Sequence, residues 1–253
     1  MIWFHYTITI ALGLALGSFV NAWVWRVKEH RSIAKGRSMC TTCHTQLTWY
    51  DNIPIISYLC LKGACRTCKQ PISLQYPIVE LVMMCLFTGI LWYHGAEFSV
   101  VVAKDWYLAT ILTFVFLYDL KYGYILDRII FPATAILVIL NIMYSWVSIP
   151  SMALGILVGA GFFLIQYIVS KGTWIGGGDI RLGVLMGVLL GWQLTILAIF
   201  LAYIIGAVSV LILLVFKKVN LKQSTPFGTY LTIATGIALF YGEQIIHWYI
   251  QLL

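Results

Sequence analysis

Charge is what this 253-residue chain lacks: Asp, Glu, Lys and Arg make up 10% of it, against 61% hydrophobic residues and a mean hydropathy of +0.92. That scarcity excludes an ordinary soluble domain and predicts an all-α polytopic membrane protein. The N-terminal apolar stretch has no basic residue before it and no small-residue cleavage site after it, which excludes a cleavable signal. Acids are scarcer still, nine against sixteen Lys and Arg, giving a formal charge of +7. A basic balance raises nucleic acid as a partner. Here no aromatic-basic stacking platform accompanies it, and membrane topology explains the excess better than nucleic acid does.

Eight apolar spans are expected, near 3–25, 76–95, 100–119, 128–147, 151–170, 181–191, 193–216 and 228–249. The sixth is short, and Gly191 is a weak boundary between it and the seventh. Loops 94–101 and 146–152 contain no Lys or Arg. Of the sixteen basic residues only Lys104 falls on their side, where its stem can snorkel. Those on the other side run from Arg26 through Lys121, Arg128, Lys171 and Arg181 to Lys217, Lys218 and Lys222. By the positive-inside rule that side is the cytosol. The expected organisation is a first transmembrane helix at 1–26, a cytosolic zinc-binding loop domain at 27–75, and a seven-helix membrane domain at 76–253. No internal repeat is evident.

The loop domain holds Cys40-Thr41-Thr42-Cys43 and Cys65-Arg66-Thr67-Cys68, two Cys-x-x-Cys pairs separated by 21 residues. Paired spacing of this kind reads as a tetrahedral zinc site. Four thiolates leave no open position, so the metal is expected to be structural. A cytosolic loop is reducing, which argues against disulfides. His30 and His44 are substitute ligands, Cys60 a spare thiol, and Cys85 a small buried hydrophobe within the second span. The loop's basic residues are expected to touch anionic membrane lipid.

Two aspartates stand where apolar runs meet short polar loops. A carboxylate at a helix centre costs about 2.5–3.5 kcal/mol in a bilayer, so acids kept at such positions are functional candidates. Asp179 closes Gly176-Gly177-Gly178-Asp179, whose glycines allow positive φ and close backbone approach. Taken alone that run is more often a helix N-cap than a catalyst. Asp119 ends an apolar run, where the helix dipole disfavours an acid, and capping does not explain it. Asp127, eight residues on, opens the next span and suits a cap. Two such carboxylates within a few ångströms share one proton, the arrangement of aspartic-protease chemistry.

With these motifs assembled, the chain resembles the type IV prepilin peptidases, bifunctional leader peptidases and N-methyltransferases of bacteria. The resemblance is carried by Gly17-Ser18-Phe19-Val20-Asn21, both cysteine pairs, Asn52-Ile53-Pro54, Tyr76-Pro77-Ile78-Val79-Glu80, Asp119-Leu120-Lys121, Leu126-Asp127, Gly176-Gly177-Gly178-Asp179 and Pro226-Phe227-Gly228. The family's usual Pro before the trailing acid is Leu126 here, and Thr229 stands where Pro is common. The resemblance implies Asp119 and Asp179 as catalytic residues, with Gly176, Gly178 and Asp127 supporting them. It implies type IV prepilins or pilin-like secretion subunits as substrates, cut at the cytosolic face of the bacterial inner membrane. It also implies N-methylation of the new terminus from S-adenosylmethionine. No Rossmann-type glycine fingerprint marks a methyl-donor pocket. Glu80, an acid at the cytosolic end of the second span, is the local candidate for engaging an α-ammonium. A structural partner for a nearby basic residue is the equal alternative. Two other classes fit the acids by themselves: a presenilin-like intramembrane protease and a non-enzymatic ion transporter.

Overall fold

The computed structural model describes residues 2–216 and 225–252. Lys217, Lys218 and Lys222, three of the topology-setting cations, lie outside them. Among the described residues the secondary structure is helical apart from two isolated bridges. The helices are α1 (Ile2–Lys28), α2 (Ile56–Cys60), α3 (Gln75–Tyr93), α4 (Val100–Tyr122), α5 (Asp127–Tyr144), α6 (Ile149–Val169), α7 (Gly177–Val215) and α8 (Phe227–Ile250). Six of them, α1 and α3 to α7, are long and apolar enough to cross a membrane. The chain is therefore a multi-pass membrane protein. It divides into two compact units, Met1–Phe114 and Val115–Leu253.

In the first unit α1 packs on α3 as an antiparallel pair whose register can be read from two glycines. A Cβ added at Gly13 would stand 2.8 Å from Met84 Cα, and one at Gly17 would stand 2.7 Å from Glu80 Cα. One turn further on, Asn21 donates to the Tyr76 carbonyl (3.1 Å) and accepts from Gln75 Nε2 (3.0 Å). Small residues let two helix backbones approach where lipid offers no hydrophobic driving force. Lys104 does not snorkel. Its Nζ lies 3.1 Å from Asp105 Oδ1, its side chain is nearly buried, and His94 holds the other Asp105 oxygen at 2.8 Å. Cys85 is exposed on α3 rather than buried, consistent with a lipid-facing position on a spanning helix.

The second unit is built on the α6–α7 pair. Gly155, Gly159, Gly183 and Gly187 interlock so closely that a Cβ on any of them would collide with the facing backbone. α7 is 39 residues long, but Gly191 inside it has φ 69° and ψ −177°, which is not helical. The expected boundary between the sixth and seventh spans is thus a kink without a loop. Only glycine takes that backbone readily. Thr195 Oγ1 accommodates the break by donating to the Gly191 carbonyl at 2.6 Å.

Candidate active site and cysteine centre

Asp119 lies in the last turn of α4, three residues before its end, rather than closing the helix. It is 4% exposed. The C-terminal half-charge that should disfavour it is countered from another helix. Thr229, in the first turn of α8, donates its N–H to Asp119 Oδ2 at 2.9 Å, and the Gly228 N–H also binds the carboxylate. A helix N-terminus is a ready anion site. The family-like Pro226-Phe227-Gly228 stretch starts that helix, with Pro226 as its N-cap. Gly228 is required by the approach: a Cβ there would sit 2.8 Å from Asp119 Oδ2 and 2.9 Å from Ile125 Cδ1.

Asp179 is not the N-cap of α7. Gly176 occupies that place, and Asp179 stands in the first turn, its Oδ2 accepting the Gly176 N–H at 3.2 Å. The carboxylate is 7% exposed. The glycine run does not use positive φ, since none of its members has it. What it uses is space, and at one position only. A Cβ on Gly178 would lie 2.8 Å from Ile125 Cβ, whereas Gly177 has open space and Gly176 only ordinary contacts.

Ile125 therefore stands between the glycine beside Asp179 and the glycine beside Asp119. It is 8% exposed. Asp119 and Asp179 thus converge on the two sides of one side chain. Sequence reasoning missed Ile125, because an apolar residue in a short loop carries no chemical signal. Asp127 takes the first position of α5, with Leu126 as the N-cap, and pairs with Arg181 of α7. Arg181 also lies over the Phe131 ring, 5.9 Å from its centroid.

The four cysteines form a separate centre in the first unit. The ligand atoms of Cys40, Cys43, Cys65 and Cys68 all lie within 4.8 Å of one another. Cys40 Sγ and Cys68 Sγ are 3.9 Å apart. Tetrahedral Zn–S bonds of about 2.3 Å require S···S separations of about 3.8 Å, so the donor set fits zinc. His30 and His44 are not in the group. Two equivalent knuckles present the thiols. Cys40 N–H bonds Thr45 O and Cys65 N–H bonds Gln70 O; His44 N–H bonds Cys40 O and Lys69 N–H bonds Cys65 O. The residue after each second cysteine, His44 or Lys69, has positive φ, at 57° and 60°. This short repeat escaped the sequence reading because its two copies share only the cysteines and one threonine, Thr42 and Thr67. Arg66 ties the second knuckle to the 3₁₀ turn Trp49–Asn52 through Asp51 Oδ1 (2.8 Å), which holds the Asp51 carboxyl below its usual range.

Among the described residues no Lys or Arg pairs with Glu80. Its Oε2 accepts the backbone N–H of Ile55 at 2.7 Å, and the Ser18 hydroxyl binds the same carboxylate.

Comparison with known proteins matches residues 11–94 to the bacterial peptidase A24 N-terminal domain and residues 106–211 to the type IV leader peptidase family. A Pseudomonas putida protein called prepilin leader peptidase/N-methyltransferase is 32% identical, the match covering 98% of this chain and 95% of the relative. Proteins of the same name from Bacillus subtilis (31%; 97% and 98% covered) and Aeromonas hydrophila (28%; 98% and 94%) are similar over the same extent. No solved structure matches.

Proposed function

We propose that this chain, which belongs to the type IV leader peptidase family of prepilin leader peptidase/N-methyltransferases, cuts the basic leader from type IV prepilins or pseudopilins by an aspartyl mechanism. The observation that carries the reading is the convergence of Asp119 and Asp179 on Ile125, both acids nearly buried and each oriented by a backbone N–H, within a chain that such enzymes match over 98% of its length. One carboxylate, ionised, takes a proton from water as the hydroxyl adds to the scissile carbonyl. The other, protonated, polarises that carbonyl. The C–N bond then breaks, the nitrogen takes up a proton, and a leader carboxylate and a free α-amine leave.

The remaining assignments belong to the same proposal. Eight spans, with α7 counted as two across Gly191, put both aspartates on the cytosolic side of the bacterial inner membrane. The loop 27–75 is a zinc module held by Cys40, Cys43, Cys65 and Cys68, and 76–253 is the membrane peptidase domain. S-adenosylmethionine supplies the methyl group for the new α-amine. Glu80 has one carboxylate oxygen on Ile55 and offers the other to that ammonium.

The test is to incubate the purified enzyme with a candidate prepilin, with and without S-adenosylmethionine, and to read the product N-terminus by mass spectrometry. The expected product ends at the margin of the apolar helix and gains one methyl mass only with the donor. A cut inside the apolar helix overturns the reading in favour of an intramembrane protease.

A further inference from the structure

The loop between α1 and α3 turns back to meet the side of α3. Glu80 relates its depth to two helices of the first unit. Ile55 donates to Glu80, which lies five residues inside the start of α3, about 7 Å along its axis. Glu80 in turn packs against Gly17 and binds Ser18, which lie nine and eight residues inside Arg26 on α1. At about 1.5 Å per residue that is about 12–13 Å below the arginine. Arg26 itself reaches the loop carbonyls of Ser32, Ile33 and Gly36, on the polar side. Ile55 is therefore held by a residue that lies inside the ends of two membrane-spanning helices.

Its side chains suit that depth. Ile56 is 58% exposed and Leu59 68% exposed, both on α2, comparable to Ile78 at 54% on the face that α3 turns outward. In water these would be bare aliphatic groups, which hydrocarbon would suit better.

Its backbone suits it too. Irregular backbone is tolerated at membrane depth only where every polar group is satisfied. Pro54 has no N–H to satisfy. Ile53 N–H bonds Tyr50 O, Ile56 N–H bonds Pro54 O at 2.6 Å, and Ser57 N–H bonds Ile53 O. At the turn itself the Ile55 N–H remains, and Glu80 accepts it. Ile55 has φ 60° and ψ −51°, the strained form of the γ-turn, which a β-branched residue avoids unless its surroundings impose it.

We infer that residues 53–60 form a re-entrant turn sunk in the bilayer boundary, with Ile56 and Leu59 among the acyl chains of the leaflet that Arg26 faces, and that Glu80 is the latch holding it there. The cysteine module is thereby anchored at a third point besides its junctions with α1 and α3. This rests only on α1 and α3 crossing the membrane and is independent of the peptidase assignment.

The test places a diazirine-bearing residue at 56, 59, 78 or 42 in the full-length protein, reconstituted in nanodiscs of phosphatidylethanolamine and phosphatidylglycerol. Adducts are identified by mass spectrometry after illumination. Positions 56 and 59 are expected to give lipid adducts at a yield comparable to 78, while 42, in a cysteine knuckle, gives water adducts. Water or protein adducts at 56 and 59 alongside lipid adducts at 78 overturn the inference. With the probe at 59, Glu80→Ala should cut the lipid adduct several-fold, whereas Glu80→Gln, which keeps a carbonyl acceptor for Ile55, should preserve it. Equal yields in both variants overturn the latch. If Glu80→Ala does not accumulate, the unaltered chain and Glu80→Gln still decide by the same readout.

Discussion

Replacing Gly228 by alanine adds one methyl group at the point where α8 meets Asp119. The new carbon would stand 2.8 Å from Asp119 Oδ2, 3.1 Å from its Cγ and 2.9 Å from Ile125 Cδ1. Carbon–carbon contact is comfortable at about 3.5–4.0 Å, so carboxylate and wedge must each retreat by about half an ångström or more. The 2.9 Å hydrogen bond from Thr229 to Asp119 is stretched in the same movement. A 1 Å error in a catalytic group costs about a hundredfold in rate, which makes half an ångström worth roughly tenfold. The expected result is a kcat lowered roughly ten- to a hundredfold with KM little changed, because the methyl disturbs a reacting group and no substrate-binding surface. Gly236→Ala is the control. It lies on the same helix with nothing within 4 Å of its added carbon, and alanine should favour the helix by about 1 kcal/mol. Initial rates of prepilin cleavage in detergent micelles, with melting temperatures of both variants, separate the two cases. A Gly228→Ala enzyme with kcat within about twofold of the unaltered chain would refute the placement of Asp119 against α8.

Within the glycine run, Gly177→Ala should cleave normally, whereas Gly178→Ala should lose most activity because its added carbon meets Ile125 at 2.8 Å; equal activities would remove the wedge. Asp119→Asn and Asp179→Asn should each abolish cleavage while the protein still accumulates, as shown by immunoblot beside the cleavage assay. Elemental analysis should find about one zinc per chain, and Cys43→Ser should lose it and expose 27–75 to proteolysis, since a structural zinc contributes folding free energy directly; unchanged zinc content sinks the four-cysteine site. Asp127→Ala should lower kcat several-fold by freeing Arg181, and Arg181→Gln in the same chain should restore it; if the second change adds to the first instead, the pair acts only as a tether.

The helices were legible because a bilayer demands long apolar runs, and the runs at 76–95 and 151–170 lie close to α3 and α6. The 181–193 region was ambiguous for a physical reason. A single glycine with φ 69° breaks α7 without inserting a polar loop, so no charge or turn signal marks it. The cysteine centre was legible from spacing alone. Its neighbourhood was not: the bond from Ile55 to Glu80 spans 25 residues, and nothing in Ile55 advertises a donor. Lys104 misled because its partner is the adjacent residue, Asp105, and adjacent residues on a helix do not ordinarily face each other.

Asp119 shows most clearly what a sequence withholds. Its position in the last turn of α4 looks unfavourable, and the sequence could say only that some function must offset the cost. The offset is an N–H group 110 residues away, on Thr229. Asp179 receives its own from Gly176, three residues back. Among the described residues both acids are thus oriented by neutral donors and not by cations. That distinction matters for the chemistry, because a Lys or Arg seated against the pair would hold both carboxylates ionised and leave no proton to share. Arg181, two residues beyond Asp179, is a cation near enough in sequence to intrude. It is engaged by Asp127 on one side and lies over Phe131 on the other. The acid that looked like a spare cap is in this reading the group that keeps a guanidinium away from the dyad. Both partners are partly exposed, 38% for Arg181 and 46% for Asp127. Such a pair contributes little to stability, of order 1 kcal/mol or less, so its contribution lies in where it keeps the charge.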